Sequence, residues 1–184
     1  MTQVERQSDF YSLIAAGQRS AEISEADDVY GWLCGDWDLE CLRYLGIDVS
    51  GRGLRGEVHA ARVLEGRAVQ DVWIMPRSGE RKSDSERTMN MYGTTLRWWD
   101  PTTRAWRIAW TNPVSGHREE QLAHRSGADI VQEGARLDGT RTRWTFTEIT
   151  RDSFHWKGEA LSPGKDTWTL EGEFLATRRR AWAR

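Results

Sequence analysis

The 184-residue chain is poor in cysteine, with two, and in lysine, which stands only at Lys82, Lys157 and Lys165. Cys34 and Cys41 are seven positions apart across a helix-to-strand junction, where two reduced, buried thiols are expected rather than a disulfide. Arginine supplies nearly all the basic charge, a bias that suggests a GC-rich bacterial genome. Charge of one sign is not in excess either: 26 basic and 28 acidic side chains leave a formal charge of -2. No basic stripe extends beyond Arg178-Arg179-Arg180, so nucleic acid is not an expected partner. No apolar run approaches the roughly 18 residues a membrane-spanning helix needs, and the N-terminus lacks the pattern of a secretory signal. A cytoplasmic protein without membrane partners is expected. The sequence has no Gly-x-Ser-x-Gly elbow, no phosphate-cradling glycine loop and no dinucleotide fingerprint, which removes the usual support for hydrolase, kinase and NAD-enzyme readings. His59, His117, His124 and His155 are scattered singly, without the close spacing of a zinc site, so neither metal nor cofactor is expected.

What is present points to one globular domain, since 38% of residues are hydrophobic and 29% charged and the length suits a single core. Helical periodicity is confined to the start: Phe10, Leu13, Ile14 and Gly17 share one face, and Val29, Trp32 and Leu33 repeat the spacing after Ser24 and Asp27, which resemble a capping box. Two short helices are predicted there, residues 1–34 forming an extension that packs on the domain of residues 35–184. From Gly35 the period becomes two, with Trp37, Leu39 and Cys41 on one strand face; Trp106-Ile108-Trp110, Trp144-Phe146, Phe154-Trp156 and Trp168-Leu170 read the same way, with these faces inward. Nine turn signals, from Ser50-Gly51 to Pro163-Gly164, imply about ten strands. Consecutive strands on short loops are antiparallel neighbours, and closing so long a sheet removes both exposed edges. The predicted fold is all-β, an antiparallel up-and-down barrel; a two-sheet sandwich is the alternative, and needs longer connections. The segment from Met75 to Thr88 is the candidate mobile loop at a barrel mouth.

Gly35-Asp36-Trp37, opening the first strand after a short helix, resembles the lipocalin and wider calycin signature. In that family the Trp sits in the barrel floor beneath an Arg from near the chain end, and the resemblance implies Trp37 and Arg178 in these places, stacked at the closed end. The run Leu64-Glu65-Gly66-Arg67-Ala68-Val69-Gln70-Asp71-Val72-Trp73, with Tyr92-Gly93-Thr94-Thr95-Leu96-Arg97, Arg143-Trp144-Thr145-Phe146 and Thr167-Trp168-Thr169-Leu170, resembles a bacterial group of largely uncharacterised lipocalin-like barrels. The resemblance implies the barrel and leaves activity open, because calycins include carriers of apolar molecules, haem-binding nitrobindins and barrels recruited as isomerases or cyclases. A nitrobindin-like haem site would need a proximal His near the chain end, and none follows His155.

Eleven tryptophans are a large excess, and a barrel of about ten strands encloses more volume than side chains ordinarily fill. A cavity larger than several waters is therefore expected, lined by Trp73, Trp99, Trp110, Trp144, Phe146 and Trp156 and suited to an apolar or aromatic small molecule. Glu57 and His59 share one face of their strand, as do Asp71 and Trp73 on the next. If both faces point inward, His59 becomes a general base oriented by Asp71, with Arg97 beside them and Glu57 contacting the ligand. The opposite register, with Val58, Ala60, Gln70 and Val72 inward, fits the pattern almost as well. Two functions compete: a small-molecule-binding barrel, and a cofactor-free isomerase, cyclase or lyase of specialised metabolism that uses His59, Asp71 and Arg97. A filled structural barrel is a third reading, and the sequence leaves room for a homodimer.

Overall fold

The computed structural model describes residues 9–80 and 90–179. After a five-residue helix α1 (Phe10–Ile14) come strands β1 (Gly35–Tyr44), β2 (Ile47–Asp48), β3 (Arg55–Val63), β4 (Ala68–Met75), β5 (Met91–Asp100), β6 (Ala105–Asn112), β7 (His117–Ser126), β8 (Asp129–Ala135), β9 (Arg141–Thr147), β10 (Ser153–Leu161) and β11 (Thr169–Arg178). Each strand from β3 onward pairs antiparallel with the next, β1 pairs with β3, and β11 returns to pair with β1. The two-residue β2 pairs with β1 alone, so ten strands close the barrel. All nine turn signals fall between strands or begin on a strand's last residue. Strict alternation of burial, as along β6 where Trp106, Ile108, Trp110 and Asn112 are buried, shows which face is inside. No helix among the described residues is long and apolar enough to cross a membrane.

The closed end holds the densest packing. Tyr30, Leu33, Trp37 and Phe146 are fully buried there. Trp37 meets Phe154 edge-on at 4.9 Å and donates its indole N–H to Leu33 O at 2.7 Å. The Arg178 guanidinium lies 3.9 Å from the Trp37 ring centre, as the calycin resemblance implies, and donates to the carbonyls of Trp32 and Cys34 at 2.7 and 2.8 Å. Gly35 has φ 127°, and a Cβ there would stand 2.5 Å from Nη1 of Arg178, so the first position of the motif must be bare.

The N-terminal segment departs from the helices predicted for it. The Asp27 N–H does donate to Ser24 Oγ at 3.1 Å, one of the two capping-box bonds, and the Ser24 hydroxyl donates to the Asp27 carboxylate at 2.7 Å, but these close only a turn. The chain then enters the barrel end, where a 3-10 turn at Gly31–Leu33 replaces the second helix and Tyr30 Oη reaches Gln132 Oε1 at 2.9 Å. Burial of Tyr30 outweighs helical periodicity here. On α1, Phe10 and Leu13 are exposed, so the apolar face read from their spacing stays outside the core. Of the connection read as a mobile mouth loop, residues 81–89 lie outside the described residues; Arg77 and Ser78 fold back over the outer face of β3.

Candidate functional site

At the other end the barrel holds a cavity of about 620 Å³, opening between the β1–β2 turn, the β6–β7 turn and the start of β11. That is room for about twenty waters at roughly 30 Å³ each, so the expected cavity is present. Its apolar wall is a chain of rings: Trp110 to Trp144 at 6.2 Å, Trp144 to Trp156 at 5.5 Å, Trp156 to Trp73 at 5.7 Å, with Phe174 5.5 Å from Trp156.

Glycines beneath two of these rings, Trp110 and Trp156, help to leave the centre open. A Cβ at Gly93 would stand 2.4 Å from the Trp110 ring, and one at Gly158 would stand 2.5 Å from that of Trp156, with Gly172 at 3.1 Å on the same ring. Gly158 and Gly172 face each other across β10 and β11. The indoles therefore lie flat on bare backbone instead of projecting across the barrel.

Beside these rings, on neighbouring strands, a polar network runs from floor to mouth. Near the floor Arg97 forms an ion pair with Asp71, both about 1% exposed, and Asp71 also accepts the Thr95 N–H at 3.0 Å. Arg97 lies 5.2 Å from the Tyr30 ring centre and 3.4 Å from Gln132 Oε1. Gln132 continues to Gln121, Gln121 to Thr142, and the Thr142 hydroxyl donates to Glu119 at 3.1 Å. Glu119 accepts from His117 at 2.8 Å and Arg136 at 2.7 Å, and Arg136 holds Glu171 through two further bonds. Burial raises the Glu119 carboxyl pKa, but the bonds from His117 and Arg136 win and hold it below its ordinary value. Tyr44, buried at the mouth, has its hydroxyl pushed up to about 12 by desolvation, so it remains a neutral donor.

The predicted residues divide between the two faces. Trp73, Trp110, Trp144, Trp156 and Arg97 line the cavity, with Asp71 bonded behind Arg97. Trp99 and Phe146 point inward but pack towards the floor, Trp99 6.0 Å from Trp106 and Phe146 5.4 Å from Phe154. His59 and Glu57 are corrections: both lie outside the barrel. Val58 pairs with Trp73 and Ala60 with Asp71, so partners across the four-residue turn between Val63 and Ala68 have opposite parity, and His59 faces outward opposite Val72. Its Nδ1 bonds to Asp36 at 2.7 Å on the outer surface. Glu57 is buried there beneath Arg179 and Ser78. Trp168 and Leu170 are a further correction, since Trp168 stacks with Arg143 on the outer face at 4.3 Å and Leu170 pairs with outward Glu159.

Residues assigned to the cavity by structure alone are Tyr44, Arg136, Glu171 and Phe174, together with His117, whose strand face with Glu119 and Gln121 is visible in the sequence. Two β-bulges hide Tyr44 and Glu171. The register slips between Cys41 and Arg43 on β1, and opposite Gly158–Glu159 on β11, so inward parity changes along each strand. Among the described residues no three His, Cys, Asp or Glu converge as metal ligands. Compared with models of known protein families and with curated proteins, the chain matches none.

Proposed function

We propose that this barrel binds an apolar or aromatic small molecule, flat enough to lie against tryptophan rings. The observation that carries the reading is the cavity itself: about 620 Å³, within the roughly 300–1,000 Å³ typical of ligand sites, and walled by four indoles, two of which, Trp110 and Trp156, lie against glycines. A space of this kind is costly to leave unfilled, because its lining forfeits contacts. Titration with the neutral fluorophore N-phenyl-1-naphthylamine should give one saturable site per chain. Trp144→Ala should weaken it about tenfold, or ~1.4 kcal/mol. An intact fold with no saturable binding would rule the reading out.

A second reading is favoured by one observation, the bond from His117 to Glu119 at the cavity lining. Imidazole oriented by a buried carboxylate is the arrangement of a general base, the role that the sequence reading gave to His59 and Asp71. A cofactor-free isomerase, cyclase or lyase would move its proton at His117, with Tyr44 as the neutral donor. In D2O the protein should then accelerate deuterium uptake by 2-tetralone, an enolisable bicyclic ketone, and His117→Ala should return the rate to that of buffer. Equal rates with and without the wild-type protein would exclude this chemistry for such ketones.

A further inference from the structure

Four side chains at the cavity surface can carry charge near neutral pH: Arg97, His117, Arg136 and Glu171. None of them presents unbalanced positive charge. Arg97 is matched by Asp71 in a pair sealed from solvent, and Arg136 by Glu119 and Glu171 together. Two guanidiniums thus face three carboxylates, so that even a charged His117 leaves no positive charge in excess. The remaining polar groups within reach include the Tyr44 and Thr95 hydroxyls, which carry no charge.

Resting on the binding reading above, we infer that the cavity selects uncharged ligands and rejects organic anions. An entering carboxylate or sulfonate finds its natural partners occupied. To gain Arg97 it must displace Asp71, and to gain Arg136 it must displace Glu119 or Glu171, stranding a carboxylate that is buried or half-buried. It must also enter a lining in which every guanidinium already has a carboxylate partner. A neutral ring system with a hydroxyl, ketone or amide meets neither penalty. It lies on the indoles and hydrogen-bonds to the hydroxyls, while the ion pairs stay intact.

The test is a matched pair of competitors, 2-naphthamide and 2-naphthoate, which share shape and differ in charge. Each is titrated at pH 7.5 against N-phenyl-1-naphthylamine bound to the full chain, so that only binding at the shared site is read. The amide should displace the reporter at a concentration about tenfold or more below that needed by the carboxylate. In Glu171→Gln, where Arg136 loses one of its two carboxylates, the ratio between the competitors should narrow. Equal or stronger displacement by naphthoate overturns the inference while leaving the binding reading intact. A ratio unmoved in Glu171→Gln also overturns it, since charge at the mouth would not be its origin. A folded protein that never takes up the reporter defeats both readings.

Discussion

At the scale of single residues, the cavity depends on atoms that are missing. Gly158 lies beneath the Trp156 ring with no space for a methyl group, and its partner Gly172 extends the same bare strip. Gly158→Ala should force the indole off the wall and into the space a ligand would occupy. We expect binding of N-phenyl-1-naphthylamine to fall about fivefold, with an overpacking cost of ~1–3 kcal/mol in thermal stability. Unaltered affinity in the variant would mean that the ring can retreat elsewhere and that the glycine does not maintain the space. The Asp71–Arg97 pair behaves differently. Buried and bonded to each other, with Asp71 also accepting the Thr95 N–H, the two side chains tie β4 to β5 whether or not a ligand is present.

At the scale of strands, periodicity carried the fold a long way. Turn residues marked every connection but the short β1–β2 turn at Leu45 and Gly46, and two-residue alternation identified the inward faces of β6, β9 and β10. Pairing parity was beyond its reach. Whether His59 or Val58 shares a face with Asp71 depends on the number of residues in the Leu64–Arg67 turn and on the unusual φ of 53° and 56° at Leu64 and Glu65, neither of which alternation encodes. Glu171 and Tyr44 illustrate the same limit: one extra residue in a strand turns the next side chain inward, and a period-two pattern read through a bulge predicts the wrong face. The tryptophans were legible as cavity candidates because size and apolarity do not depend on register. Of the polar wall Asp71 and Arg97 were legible as well, but Gln132 and Thr142 were not, because they look like surface residues until the closure of the barrel buries them beside Gln121.

For the molecule as a whole, pairing of the first and last strands closes the barrel. On its outer side Arg179 bonds Asp38 and Glu57, and Arg77 joins Asp38. Burial pushes the Glu57 carboxyl up, but bonds from Ser78 and Arg179 prevail and take it down to about 2 from an ordinary 4.5. A carboxyl with a depressed folded value contributes stability fully above its unfolded value and loses it as pH falls towards the folded one. Comparison of melting temperatures for wild type and Glu57→Gln should therefore show a gap that is complete above pH 4.5 and closes between there and pH 2; a gap independent of pH would assign the effect to packing. The Arg178 clamp at the floor has a different consequence, for the order of events in synthesis. It joins carbonyls at residues 32 and 34 to a side chain 146 and 144 positions later. A nascent chain can thus form its meander hairpin by hairpin while still on the ribosome, yet β1 keeps one bare edge and the floor stays unlatched until β11 emerges. Through most of translation the growing sheet is therefore a substrate for chaperones and for edge-to-edge misassembly, and the binding cavity comes into existence only in the final step.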